Sequence, residues 1–369
     1  MLSDAASVRA LLGRIVACDL VACDGPLPDR ALADLEWVRL LALTRTQRAE
    51  GPLARAISAG ALVVTARQQD QAFAAHRAAM SLTLLLERDL LAVHTELTAA
   101  GVDLIVLKGA ATAHLDEADP AARAFGDVDL LIRGSSLPAA IRVIEELGGT
   151  RRHHEPRPGY DTRFGKGVSF RFTRNCEIDL HRTLAPGPFG LRIDLDALFA
   201  SRQRYEIGGV GLDALDRPSR FLHACYHAVL GDAFPRLTTL RDLVRTAPRS
   251  DHECRIALGR AARWQATSVV GAGIDHAVGT FGWTPPEPLR TWARLRPEAA
   301  REQRWLAAYT GDDRLPALQA LQGLAALEGF ADRVAYARAI AWPTSTGPRT
   351  AGNVRARRGA RALARIVRP

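Results

Sequence analysis

LIVLKGAATAHLDEADPAARAFGDVDLLIR, residues 104–133, decides how the rest of the chain is read. It runs as strand, tight turn, helix, loop, strand. Leu104 to Leu107 is an apolar run of strand length, closed by Lys108-Gly109. Ala110 to Leu115 start a short helix, and Asp119-Pro120 breaks it. Gly126 to Ile132 resumes as a strand with carboxylates at i and i+2, Asp127 and Asp129. Side chains alternate faces along a strand, so these two acids share one face while Val128 and Leu130 share the other. Like charges held together are costly unless a cation or a proton offsets them. Oxygen ligands favour a hard cation such as Mg²⁺, which takes one or two carboxylates together with substrate phosphates. The plainer reading is two solvated aspartates on an edge strand.

Two further features favour the cation. Lys108-Gly109 ends the preceding strand with a compact charge and a residue that lets phosphates approach the backbone. A later acidic strand, Glu177-Ile178-Asp179-Leu180-His181, turns Glu177, Asp179 and His181 to one face. Three aspartates on two strands beside a glycine turn are the equipment for metal-assisted phosphoryl transfer, with one or two Mg²⁺ ions.

The ordered set "LKGAA … R … GDVDLLI … EIDLH" resembles the uncharacterised nucleotidyltransferase family of bacteria, a branch of the polymerase-beta-like superfamily. The resemblance implies an α+β protein, with a small mixed nucleotidyltransferase sheet flanked by N-terminal and C-terminal helical regions. It implies Asp127, Asp129 and Asp179 as catalytic metal ligands, with Asp179 as base. Lys108, Gly109, Arg123, Gly126 and His181 would surround the nucleoside triphosphate. The superfamily's Gly-Ser turn is Lys108-Gly109 here, so the serine is missing. His181 is equally readable as a strand-end residue bonded to backbone, and Arg123 as an exposed loop arginine.

The 369 residues suffice for two or three packed units. No apolar run approaches the roughly 18 residues of a membrane span, and the amino terminus lacks a signal-peptide plan, so a cytoplasmic setting is expected. Five cysteines in no metal or disulfide spacing read as idle thiols. Lysine occurs only at positions 108 and 166; every other cation is arginine. Seven arginines between Arg349 and Arg368 account for seven of the nine net positive charges. The body is therefore close to neutral, which disfavours nucleic acid as a partner without forbidding it.

Residues 1–100 read as an N-terminal helical region, 101–212 as the nucleotidyltransferase core, 213–342 as a C-terminal helical region and 343–369 as a basic tail. Helices are expected over Ala5 to Cys18, Asp29 to Ala42 and Arg67 to Ala99, the last with Leu82, Leu85, Leu86, Leu90, Leu91 and Leu97 as its stripe. Gly51-Pro52 reads as an interruption. A hairpin is expected around residues 173–176, and one short strand from Tyr205 to Val210. His153-His154 reads as surface. His223 and His227, at i and i+4, permit zinc but lack a third ligand and read as core residues, with a site-facing role for His227 implied by the resemblance. Asp242 is a secondary candidate near the cleft on the same ground. The tail is read as a disordered terminus, with a membrane surface, an acidic partner or nucleic acid as the alternatives.

Three functions fit. The first is a Mg²⁺-dependent enzyme moving a nucleoside monophosphate from an NTP to a hydroxyl acceptor. The second is an NTP-binding or regulatory module without turnover. The third is a toxin-like transferase acting on tRNA or protein.

Overall fold

The protein is described from a computed structural model covering residues 5–23, 25–172, 176–231, 235–296, 299–310 and 316–344. The expected basic tail beyond residue 344 and the hairpin turn at 173–175 lie outside the described residues. Four helices come first: α1 (Ala5–Ala17), α2 (Asp34–Gln47), α3 (Glu50–Ser58) and α4 (Ala66–Ala99). Then follow β1 (Leu104–Val106), α5 (Ala110–Asp116), β2 (Val128–Ile132), α6 (Leu137–Glu146), β3 (Thr150–Arg151), α7 (Tyr160–Arg163), β4 (Gly167–Arg171) and β5 (Glu177–His181). Next are α8 (Gly187–Leu191), α9 (Leu195–Ala200), β6 (Gln203–Ile207), β7 (Val210–Ala214), α10 (Arg217–Leu230) and α11 (Leu237–Thr246). Further helices follow, among them α12 (Asp251–Arg263) and α13 (Thr267–Phe281), through to Phe330–Ala341. This is an α+β fold.

The seven strands form one mixed sheet in the order β3-β4-β5-β2-β1-β7-β6. β1 and β2 are antiparallel, β2 and β5 parallel, and β1 and β7 parallel. Alternation divides the central strands between two cores. Leu104, Val106, Val128, Leu130, Ile132, Ile178 and Leu180 pack with α4 and α6. Ile105, Leu107 and Leu131 face a larger core built from α1, α10, α11 and α13. The helices before and after the sheet therefore share one core on the side to which Asp127 and Asp129 point.

Several expectations need correction. The second helix begins at Asp34, where the Glu36 carboxylate accepts from the Ala33 N–H at 3.1 Å. Pro52 does not interrupt; it sits in the first turn of α3, where the lost N–H has no intrahelical partner anyway. On α4 the buried stripe is Thr83, Leu86, Leu90, Val93 and Leu97, while Leu82 and Leu85 are exposed. β3 has no counterpart among the expected strands. The single strand expected at 205–210 is a hairpin, β6 and β7, divided at Gly208-Gly209, and the sheet runs on to Ala214, past residue 212.

Two anchors fix the strands that carry the acids. Asp129 and Asp179 are register partners across β2 and β5. β4 is pressed so closely on β5 that a Cβ at Gly167 would lie 2.3 Å from the Leu180 carbonyl oxygen and 2.9 Å from the His181 Cα. Both neighbours are backbone and cannot turn aside. Gly167→Ala should therefore cost about 1–3 kcal/mol in urea unfolding, through overpacking that parts the two strands. An unchanged midpoint would contradict this contact.

Candidate active site

Asp129 is 2 % exposed, and both of its oxygens face cations or donors. Its Oδ1 accepts from His181 Nε2 at 2.7 Å, and its Oδ2 lies 3.1 Å from the Lys108 ammonium. A carboxylate only accepts, so Nε2 carries the proton and His181 Nδ1 is the free nitrogen. Burial would raise the Asp129 carboxyl, but the Lys108 charge and the His181 hydrogen bond outweigh it and hold it well below the usual carboxylate range. Lys108 responds in kind. Burial would lower it, yet Asp129 and Asp127 together keep its ammonium above the usual lysine range.

The expected acids converge, but not as equals. Asp129, Asp179 and His181 offer ligand atoms all within 4.8 Å of one another. Asp127 stands outside that group. It lies nearer solvent, 3.7 Å from Lys108 Nζ and 3.6 Å from an Arg48 nitrogen. The shared lysine shows that Asp127 and Asp129 do face the same way. Within the trio, His181 Nδ1 is buried and makes no hydrogen bond. A buried polar atom left so costs about 1–3 kcal/mol, so its persistence suits a site that donates a lone pair to a cation. The two carboxylates suit Mg²⁺ or Mn²⁺; an imidazole is the less usual ligand for such hard ions.

Gly109 keeps its expected place at the turn after β1. Its φ of 60° and ψ of −108° suit glycine, and a Cβ there would lie 3.2 Å from the Phe125 ring. Gly126 lies beneath the Arg48 guanidinium, where a Cβ would come within 2.4 Å of Nη2. Arg123 is the correction. It is 6 % exposed, with Nε and Nη2 forked onto the two Asp242 oxygens at 2.7 Å each and Nη1 bonded to the Ala124 carbonyl. A guanidinium so committed has little left for a phosphate, and it ties the lead-in to Asp127 onto α11. Asp242 is accordingly Arg123's partner. Glu177 faces surface arginines, Arg152 at 2.9 Å and Arg171 at 3.0 Å.

Three further groups meet the site. Lys166 precedes β4, and its carbonyl accepts from the Arg182 and Thr183 N–H groups at the end of β5, beside His181. Burial and the neighbouring Lys108 charge push Lys166 below the usual lysine range, against the pull of Asp129, Asp179 and Asp127. It forms no ion pair among the described residues. Arg48 caps α2 in the left-handed region, at φ 53°, a conformation worth roughly 1–3 kcal/mol of strain in a bulky residue. His223 and His227 of α10, with Lys108, Thr112 and Asp242, line a cavity of about 20 Å³, space for a water-sized group. Burial first, then the Lys166 and Lys108 charges, hold both imidazoles well below their usual range, so they are neutral at neutral pH. The lysine bias of the sequence points to Lys166. Nothing in the sequence singles out Arg48, because a left-handed arginine leaves no pattern.

A family model described as uncharacterised nucleotidyltransferase matches residues 33–282, well over half of the chain. The chain belongs to that family. The matched span takes in Arg48, Lys108, Asp127, Asp129, Lys166, Asp179 and both α10 histidines, so the family region includes helices on either side of the sheet. No curated protein matches the sequence. Among solved structures the chain is similar to an antigenic nucleotidyltransferase-like protein from Paracoccidioides brasiliensis, at 16 % identity over 53 % of this chain and 92 % of that one. The TM-score is 0.27, too low to argue from. No described helix is long and apolar enough to cross a membrane.

Proposed function

We propose that this protein transfers a nucleoside monophosphate from a Mg²⁺-bound nucleoside triphosphate to a hydroxyl of a small molecule, peptide or protein, with release of pyrophosphate. The observation that carries the reading is the buried, ionised Asp129 paired in register with Asp179 and bonded to His181. Asp129 and Asp179 would hold the ion with His181, and Asp127 would add a more open carboxylate. A divalent ion there supplies neutralisation of the charge that builds on the phosphate oxygens. Lys108 and Lys166 supply the remaining positive charge for the phosphates. Asp179, more open than Asp129, would take the proton of the incoming hydroxyl. Catalysis on this plan rests on positioning and charge.

Calorimetric titration with Mg²⁺ and each common NTP, followed by a pyrophosphate-release assay over candidate hydroxyl acceptors, tests the reading. Lack of any Mg²⁺-dependent NTP binding would sink it. The serine missing from the Lys108-Gly109 turn favours one alternative, a module that binds without turnover. Binding without release in that assay would select it. Lys166→Met is expected to weaken Mg·NTP binding about tenfold while leaving the unfolding midpoint unchanged or raised, because the lost charge is desolvated and unpaired. An equal affinity in the variant would remove Lys166 from the phosphate site.

A further inference from the structure

Lys108 does more here than wait for a phosphate. Its ammonium touches both carboxylates of the Asp-Val-Asp pair, at 3.1 Å from Asp129 Oδ2 and 3.7 Å from Asp127 Oδ2. Lys108 thus pairs with one Asp129 oxygen while His181 holds the other. We propose that Lys108 is a displaceable counter-ion, which occupies the acid pair until a metal–triphosphate complex gives the acids a metal and the lysine a phosphate. The inference rests on the metal–triphosphate reading given above.

Charge counting supports an exchange over simple addition. Asp127, Asp129 and Asp179 face Lys108, Lys166 and Arg48, three negative charges against three positive. A bare divalent ion would leave two excess positive charges in a largely buried site, which is strongly unfavourable. A divalent ion bound to a fully ionised triphosphate carries two negative charges instead. Lys108, attached to the same fold, also competes with a free ion at high effective concentration. Its side chain has space to move, because the small cavity lined by Thr112, His223 and His227 lies directly against it. Neither histidine would repel the arriving ammonium, both being neutral.

Mn²⁺ alone and an α,β-methylene nucleoside triphosphate with Mg²⁺ are the two probes, applied to the full chain and to Lys108→Met. Mn²⁺ binding, read by electron paramagnetic resonance, should tighten about tenfold or more in the variant. Binding of the triphosphate analogue should weaken by a similar factor. A merely structural lysine would weaken both. Mn²⁺ affinity equal to or below that of the parent overturns the proposal while leaving the metal reading intact. Failure of both proteins to bind either Mn²⁺ or the Mg²⁺–triphosphate analogue at any concentration overturns both. Should Lys108→Met not fold, acetylation of the unaltered protein separates the same outcomes, since Lys108 and Lys166 are its sole lysines. Mn²⁺ near saturation should speed modification of Lys108, and the triphosphate analogue should then slow it. A Lys108 rate that ignores Mn²⁺ overturns the counter-ion role.

Discussion

Asp129→Asn should lower Mg²⁺-dependent triphosphate affinity on the order of a hundredfold, whereas Asp127→Asn should lower it about tenfold. The acid pair looks symmetrical in the sequence, but its two members sit in different surroundings. Asp129 is 2 % exposed, lies within ligand reach of Asp179 and His181, and stays ionised because Lys108 and His181 outweigh its burial. An asparagine there keeps the shape and forfeits the charge on which three neighbours depend. The Asp127 side chain keeps 30 % of its surface exposed, and its nearest cations stand at 3.6 and 3.7 Å. Solvent screens such a charge, so its loss is felt less. Calorimetry on both variants, with circular dichroism to verify folding, decides the ranking. Equal losses would mean that Asp127 moves into the ligand group on binding. No loss from Asp129→Asn would end the catalytic reading.

The legible parts of the site lie on strands. Alternation alone places Asp127 and Asp129 on one face and puts Asp179 and His181 together on a second strand, because a period of two leaves little freedom. The parallel pairing that brings Asp129 opposite Asp179 is a long-range contact, on which local pattern is silent. Arg123 shows the opposite failure. Its sequence neighbourhood suggests a phosphate clamp, and only the arrival of α11 supplies the carboxylate that claims it. His223 and His227 read as core residues; His223 is buried and His227 half-buried. Their spacing says nothing of the cavity they share, which opens onto Lys108. The hairpin of β6 and β7 is half legible, since a Gly-Gly turn between two five-residue strands reads as one short strand when its pairing partner is unknown.

The helices beside the sheet hold the site in place, and Arg241→Met should show how strongly. All five guanidinium N–H groups of Arg241 are used: Nε and Nη2 reach Glu117 at 2.7 and 2.8 Å, Nη1 and Nη2 reach Asp19 at 2.5 and 2.9 Å, and Nη1 also donates to the Val16 carbonyl at 2.6 Å. Burial would lower its pKa, but the bonds to Asp19 and Glu117 raise it, so the charge is permanent. Removing the arginine leaves the buried Glu117 and half-buried Asp19 carboxylates with Arg245 and Arg55 as partial substitutes. A loss of about 3–5 kcal/mol is expected in urea unfolding, near the lower figure if those two close in. Acid should erode the same network in the parent. Burial would raise the Asp19 carboxyl, but Arg241 outweighs it and holds it below the usual range. Its contribution is therefore present at neutral pH and lost as pH falls through the folded-state pKa. The functional consequence follows from the next residue along α11. Arg241 grips Glu117 while Asp242 grips Arg123, so one helix holds both ends of the segment that delivers Asp127 to the site. Triphosphate binding in Arg241→Met should accordingly fall at temperatures where the variant is still folded. A destabilisation under about 1 kcal/mol, or a folded variant with full affinity, would show that the acids are positioned by the sheet alone.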